Sequence, residues 1–371
     1  MSWDTLTAAQ QDTLLRRPFD HFARYRLAAE VVVATAGREA RVLDLGGGPG
    51  SLQAFLPQAR VSSTDLVLPS GWHEQAPDLV LADGAALPFA DDSFDVVVSL
   101  DTLEHVRPPS RTAFLREVCR VAGGWGFVVC PYDTPGVADA DTALRAYVAS
   151  RFAPDLPTIA ILDEHLGYGH PDLAASRAVL AEAGPVGVVP SGRLDRWFAG
   201  MITFFHLLAI GVDEPVEVTQ RFLNRNLYEA DLAGPSYRHG LLVRTGEGPD
   251  PAAVLDPLVE RASAAPHHAA DLGLLSVVLG ESLVTSTRQA VADAGAAREE
   301  LARTQVALAQ TAEAERQTRA HNEGLEAARA ADADALAQLQ AAHDELAAFR
   351  DRVLSNPVVR ARGLLRRVMD R

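Results

Sequence analysis

The chain has 371 residues, room for two domains and a smaller third, with 34 basic and 49 acidic side chains and a net charge of −15. A hydrophobic fraction of 48% against 22% charged excludes a wholly disordered or collagen-like chain. The acidic balance argues against a general nucleic-acid binder, which needs clustered cations. All the basic residues are Arg, and the two cysteines, Cys119 and Cys130, form neither a disulfide framework nor a zinc motif, so a reducing, cytoplasmic setting is expected.

Residues 1–37 read as an N-terminal helical cap, with no basic or apolar segment of the kind that signals export. From residue 38 the pattern alternates strand and helix. Arg41–Leu45, Arg60–Asp65, Asp78–Ala82, Phe94–Leu100 and Gly126–Cys130 are short apolar runs typical of parallel strands buried on both faces. Helical stretches fall between them, clearest at Ser110–Arg120. This predicts a doubly wound α/β, Rossmann-like domain over residues 38–248.

The first strand ends in Asp44-Leu45-Gly46-Gly47-Gly48-Pro49-Gly50. Glycines at alternate positions let the backbone turn tightly and approach a ligand. Asp65 closes the second strand 21 residues after Asp44, where a carboxylate can accept hydrogen bonds from ribose hydroxyls. The spacing is not that of a dinucleotide-binding turn, and the acid Asp44 suits a cationic ligand better than a pyrophosphate.

With these residues the sequence resembles the class I S-adenosylmethionine-dependent methyltransferases, of the type 11-like kind. Asp44, Gly46, Gly48 and Gly50 match that family's first motif, and Asp65 its ribose-holding acid, followed by Leu66. Leu81–Phe89, with Asp83, Gly84 and Ala85, resembles the stretch that reaches the adenine amine; Ser93–Val97 and Ser99–Val106, with Ser99 and Leu100, resemble the fourth strand and the segment after it. The resemblance covers about residues 38–131 and implies S-adenosyl-L-methionine as cofactor, held by the residues just named, and a seven-stranded sheet with its last strand antiparallel. Ala122-Gly123-Gly124-Trp125 stands where the family has a longer turn before strand five, and a tighter turn is expected. Val186–Pro190 and His239–Arg244 are the candidates for the last two strands. The insertion between them, about residues 191–238, includes the helical patterns Trp197–Ile210 and Val216–Tyr228 and reads as a substrate cover. The apolar run Trp197–Ile210 is too short to span a membrane.

Methyl transfer to a hydroxyl needs in-line positioning and a general base. The catalytic candidates are His105, just after strand four, and His165 and His170 in the polar, Gly-rich stretch Asp163–Pro171, read as a loop. His206, amid Phe204, Phe205, Leu207 and Leu208, reads as a core histidine. Asp163, Glu164, His165 and His170 could together hold a cation, but the cluster is local and lacks a second ligand set, so no metal is expected.

Residues 249–285 read as a helical connector, and 286–354, Ala-rich and free of Pro, as a long charged helix. Leu325, Leu339, Leu346 and Val353 share one heptad position and Ala328, Ala335, Ala342 and Phe349 another, with Asp332 breaking the first series. A self-associating coiled coil is expected. Residues 357–371 form a basic amphipathic pattern suited to peripheral contact with the inner face of a membrane, or to an acidic partner. The expected activity is methyl transfer, by O-methylation, to a small molecule or a sugar or glycan, with no nucleic-acid partner. The alternative is a catalytically silent cofactor-binding domain serving a coiled-coil scaffold.

Overall fold

The computed structural model describes residues 3–47, 50–67, 79–209, 211, 213–265 and 270–355. The chain divides into two units, Met1–Thr287 and Arg288–Arg371.

The first unit is built on seven strands: β1 (Arg41–Leu45), β2 (Arg60–Asp65), β3 (Leu79–Leu81), β4 (Phe94–Leu100), β5 (Ala122–Pro131), β6 (Val186–Arg193) and β7 (Ser236–Arg244). Their order is β3-β2-β1-β4-β5-β7-β6, with β1 to β5 parallel and β7 antiparallel to both of its neighbours. The chain reverses between β1 and β4, the switch point where open α/β sheets leave a crevice at the carboxyl ends of their strands.

Two apolar layers cover the sheet. On one face, alternate side chains Val42, Val96 and Val98 meet α2 (Phe19–Ala36) through Phe22, Leu27 and Val31. A Thr7–Gln10 capping box starts α1 (Ala8–Leu15), and Gly37 at φ 82° ends α2. On the other face, Leu43, Val97 and Val128 meet Phe114, Leu115 and Val118 of α3 (Arg111–Val121). Between β1 and β2 the described residues make single turns, with Ala54 N–H on Gly50 O at 3.1 Å and Leu56 N–H on Leu52 O at 3.1 Å. Leu52 and Phe55 from that stretch join α2 in the first layer.

A third cluster caps the sheet beyond the ends of β5 and β7. It joins α4 (Val137–Ala149), α5 (Pro157–Tyr168) and α7 (Leu194–Ala209) through Val137, Leu144, Val148, Ile159, Leu162, Trp197 and Phe205. The remaining helices are α6 (Leu173–Leu180), α8 (Asp213–Asn226), α9 (Pro251–Ala264) and α10 (Ala270–Ser355).

Three expectations change. Ala122–Trp125 is not a turn: β5 begins directly after α3, and Gly124 admits Asp95 O so closely that a Cβ there would lie 2.9 Å from it. The ladder slips by one residue at this point, between Phe94 and Val96. β6 and β7 each extend about three residues into the expected insertion, pairing as far as Arg193 with Ser236. Asp163–Tyr168 is the end of α5, not loop, and the chain leaves the helix at Gly169.

The second unit is helical through Ser355, and Leu301, Leu308, Leu325, Leu339, Leu346 and Phe349 are exposed on it. No described helix is apolar enough over its length to cross a membrane. The basic stretch 357–371 lies outside the described residues.

Candidate active site

A cavity of about 530 Å³ opens at the carboxyl ends of β1, β2, β3 and β4. One wall is Leu45, Gly46, Thr64, Asp65 and Leu66, another Ala82, Asp83, Gly84 and Phe114, and the far wall Thr102, His105, Arg107, Glu164 and Tyr168.

Gly46 donates to Thr64 O at 2.8 Å with φ 77°, and a Cβ on it would lie 2.3 Å from the Thr102 side chain. Only glycine fits that turn. Beneath it Asp44 is fully buried, its carboxylate packed against Gly47, and neither oxygen has a hydrogen-bond partner among the described residues. Burial is the main cause that pushes its pKa from 3.8 to about 7, with Arg24 opposing and Asp65 adding to the rise. Asp65 Oδ1 accepts from Val67 N–H at 3.2 Å and Asp83 Oδ1 from Ala85 N–H at 2.9 Å, so each carboxylate is held by the turn after its strand.

The sequence expectations divide at this cavity. Gly46, Asp65, Leu66, Asp83, Gly84 and His105 line it. Ser99 and Leu100 do not: both are buried within β4, and Thr102 takes that wall. Ala85 contributes its N–H to Asp83 and is not on the wall, and Gly50, at φ 71°, shapes the turn from outside the lining. Gly48 lies outside the described residues.

The three histidines meet behind the far wall, organised by a residue the sequence reading missed. Asp141 of α4 is completely buried. It accepts from His165 Nδ1 at 2.8 Å, His170 Nε2 at 3.0 Å and, through its other oxygen, Tyr237 O–H at 2.8 Å. Burial alone would raise its pKa, but the hydrogen bonds from the two histidines and Tyr237 outweigh it and hold the group at about 2. His105 Nδ1 lies 2.9 Å from Glu164 Oε2, and its Nε2 lies 3.3 Å from His165 Nε2. Burial, then His165, pull the His105 pKa below its usual 6.5, against the Glu164 carboxylate. A signal for Asp141 existed: Val137, Asp141, Leu144 and Val148 form the buried stripe of α4, and a carboxylate in such a stripe needs buried partners.

His170 does not line the cavity and orients Asp141, while Asp163 turns away to pair with Arg145. α7 also stands off the cavity. Trp197 stacks on Tyr237 with centroids 3.4 Å apart and donates to Asp20 Oδ1 at 2.7 Å, and with Met201 and Phe204 it lines a separate space of about 210 Å³. His206 is half-buried and pairs at 2.8 Å with Tyr147 O–H, a satisfied packing position as the sequence suggested.

A buried ion network fixes the exit of β4. Asp101, at φ 49°, receives Arg238 Nε and Nη2 at 2.6 and 2.7 Å, while Arg238 Nη1 reaches Asp20 at 2.6 Å. Arg24 bridges the same two acids at 2.6 and 2.8 Å. Two cations face two anions, and the turn that carries Thr102, Glu104 and His105 starts from this anchor.

Residues 43–130, which hold the glycine turn and β1 to β5, match the family described as methyltransferase domain. Over that stretch the chain is similar to methyltransferase domains. Its curated relatives include an uncharacterized methyltransferase of Mycolicibacterium vanbaalenii, 37% identical over 99 residues, which are 24% of this chain and 38% of the relative. One from Mycobacterium avium is 36% identical over 107 residues, 27% of this chain and 41% of the relative. The chain thus spans about two fifths of the length of the curated relatives it matches. Among solved structures it is similar to a sarcosine dimethylglycine methyltransferase described as putative, from Galdieria sulphuraria, with 18% identity, a TM-score of 0.38, and coverage of 62% of this chain and 85% of that one. The matched stretch ends before α4, so Asp141, Glu164, His165, His170 and Arg238 lie outside it.

Proposed function

We propose that this chain transfers a methyl group from S-adenosylmethionine to a small-molecule or glycan acceptor, by O-methylation. The observation that carries this reading is one cavity lined by Gly46, Asp65 and Asp83 on one side and by His105 and Glu164 on the other. The residues fit the cofactor: Asp65 offers acceptors for ribose hydroxyls, Asp83 an acceptor for an adenine amine, and Gly46 a bare backbone for the amino-acid part. Asp44, buried without a partner, fits a ligand that brings positive charge. When bound, that cofactor supplies an electrophilic methyl on a sulfonium.

The acceptor then lies at the His105 end, between Glu164, Tyr168 and Arg107. His105 is held by Glu164 and backed by His165, and this pair acts on the proton of the acceptor hydroxyl. His165 and His170 are positioning residues, acting through Asp141 and His105. The exposed leucines of the arm support a second role, self-association through residues 286–354. A methyl-transfer screen of the full chain against glycan, lipid-linked sugar and small phenolic or alcoholic acceptors tests the reading. His105→Ala should lose turnover while binding S-adenosylmethionine as the parent does. Turnover that survives this change, or a parent protein that does not bind the cofactor, would overturn the assignment.

A further inference from the structure

We propose that His105, His165 and Glu104 bind one divalent transition-metal ion, of the zinc class, at the inner wall of the cavity. The ligand atoms of these three side chains lie within 4.8 Å of one another. The hydrogen-bond pattern points to a cation between them. His165 Nδ1 faces the Asp141 carboxylate and His105 Nδ1 faces Glu164, both acceptors only, so each ring places its proton on Nδ1. The two Nε2 atoms are then bare lone pairs 3.3 Å apart. Lone pairs in that arrangement repel unless a positive charge sits between them.

The spacing suits a metal. Two nitrogens each about 2.0–2.1 Å from a tetrahedral zinc ion stand roughly 3.3–3.4 Å apart. The third ligand is a separate observation: Glu104 is 1% exposed and neither carboxylate oxygen has a hydrogen-bond partner among the described residues. A buried carboxylate left without donors is costly unless a cation compensates it.

The surroundings complete the pattern. Metal-bound imidazoles donate their other nitrogen to a carboxylate that fixes tautomer and ring angle. Asp141 does this for His165 and Glu164 for His105, and His170 and Tyr237 hold Asp141 in turn. The alternative grouping, Asp141 with His165 and His170, is instead a closed hydrogen-bonded network whose facing atoms already pair at 2.8 and 3.0 Å. Two imidazoles and one carboxylate form a borderline N/O set that favours zinc over calcium or magnesium. Three protein ligands leave a fourth position for water or substrate. His105 lines the cavity, so the ion would polarise the acceptor oxygen there in place of proton transfer to His105, whose two nitrogens are then both engaged, a role that rests on the methyl transfer proposed above.

The test uses the full chain, stripped with chelator, desalted, and titrated with zinc chloride by calorimetry and with cobalt chloride by visible absorption. We expect about one equivalent of each ion per chain and the strong visible band of tetrahedral cobalt. His105→Ala, His165→Ala and Glu104→Gln should each weaken zinc binding by more than about tenfold, and Glu164→Gln, which only orients His105, by about 10–100-fold. His343→Ala, on the exposed arm, should leave binding unchanged. Circular dichroism melts identify variants that stay folded. The proposal falls if the parent binds no stoichiometric zinc, the two bare nitrogens then sharing a proton. It also falls if folded His105→Ala and His165→Ala proteins bind zinc as the parent does, or if His170→Asn abolishes binding that His105→Ala spares. S-adenosylmethionine titrated into the same samples separates the two claims. Cofactor binding without zinc removes the ion and leaves the methyl-transfer reading, whereas zinc without cofactor does the reverse.

Discussion

Replacing Asp44 with asparagine isolates the charge beneath the glycine turn. The group is fully buried and its pKa rises from 3.8 to about 7, a difference of about three units or roughly 4 kcal/mol at 1.36 kcal/mol per unit. Below pH 3.8 the carboxyl is protonated in folded and unfolded chains alike and contributes nothing to pH dependence. Between there and about 7 the unfolded chain gives up its proton while the folded chain keeps it, so ligand-free stability falls as pH rises. Above about 7 the loss is complete. Urea unfolding of the parent and of Asp44→Asn, measured from pH 4.5 to 8, should show the variant gaining on the parent across that window. The gain is at most roughly 4 kcal/mol, because the amide also leaves polar atoms unpaired. A cationic ligand reverses the balance by compensating the charge. S-adenosylmethionine binding to the parent should weaken by up to about tenfold per pH unit as pH falls below 7, and Asp44→Asn should bind weakly with a flat profile over pH 6–7.5. Parallel unfolding profiles for the two proteins, or a parent whose affinity does not change between pH 6 and 7.5, would refute the reasoning.

Two further outcomes are expected. Arg238→Met leaves Asp20 and Asp101 facing Arg24 alone, an uncompensated buried charge that should cost about 3–5 kcal/mol in urea unfolding; a loss below about 1 kcal/mol would mean that the network is dispensable. Sedimentation of the full chain should show concentration-dependent dimers or trimers through the exposed Leu325, Leu339, Leu346 and Phe349, and a chain ending at Thr287 should be monomeric; a full-length monomer at high micromolar concentration would exclude self-association of the arm.

How much of this could be read from the sequence varied with how local the determining contacts are. β1, β2 and β4 have the expected bounds; β1 and β4, buried on both faces, are written largely in Val and Leu, whereas β2 is mostly polar and is bounded by Arg60 and Asp65. β5 starts four residues earlier than its apolar run, since Ala122-Gly123-Gly124 looks like a turn and becomes a strand only by pairing with β4. β6 and β7 hide their inner ends in the same way, with Ser191-Gly192-Arg193 and Ser236-Tyr237-Arg238 ordered by each other. Asp65 closes β2 and Asp83 follows β3 by two residues, so the positions of both at strand ends could be read locally. Asp141 and Arg238 were not, because the contact of Asp141 with His165 spans 24 residues and that of Arg238 with Asp101 spans 137, and only the packing of α4 on α5 and of β7 on β5 brings them together. Polar residues in those two buried stripes were the available clue.

The most direct measurement is a calorimetric titration of S-adenosylmethionine into the full-length protein and its Asp65→Ala variant. One site per chain is expected in the parent, and removal of the charged acceptor for the ribose hydroxyls should weaken it by about 1–3 kcal/mol, or roughly 5- to 150-fold. No binding to the parent, or equal affinity in the two proteins, would contradict the account.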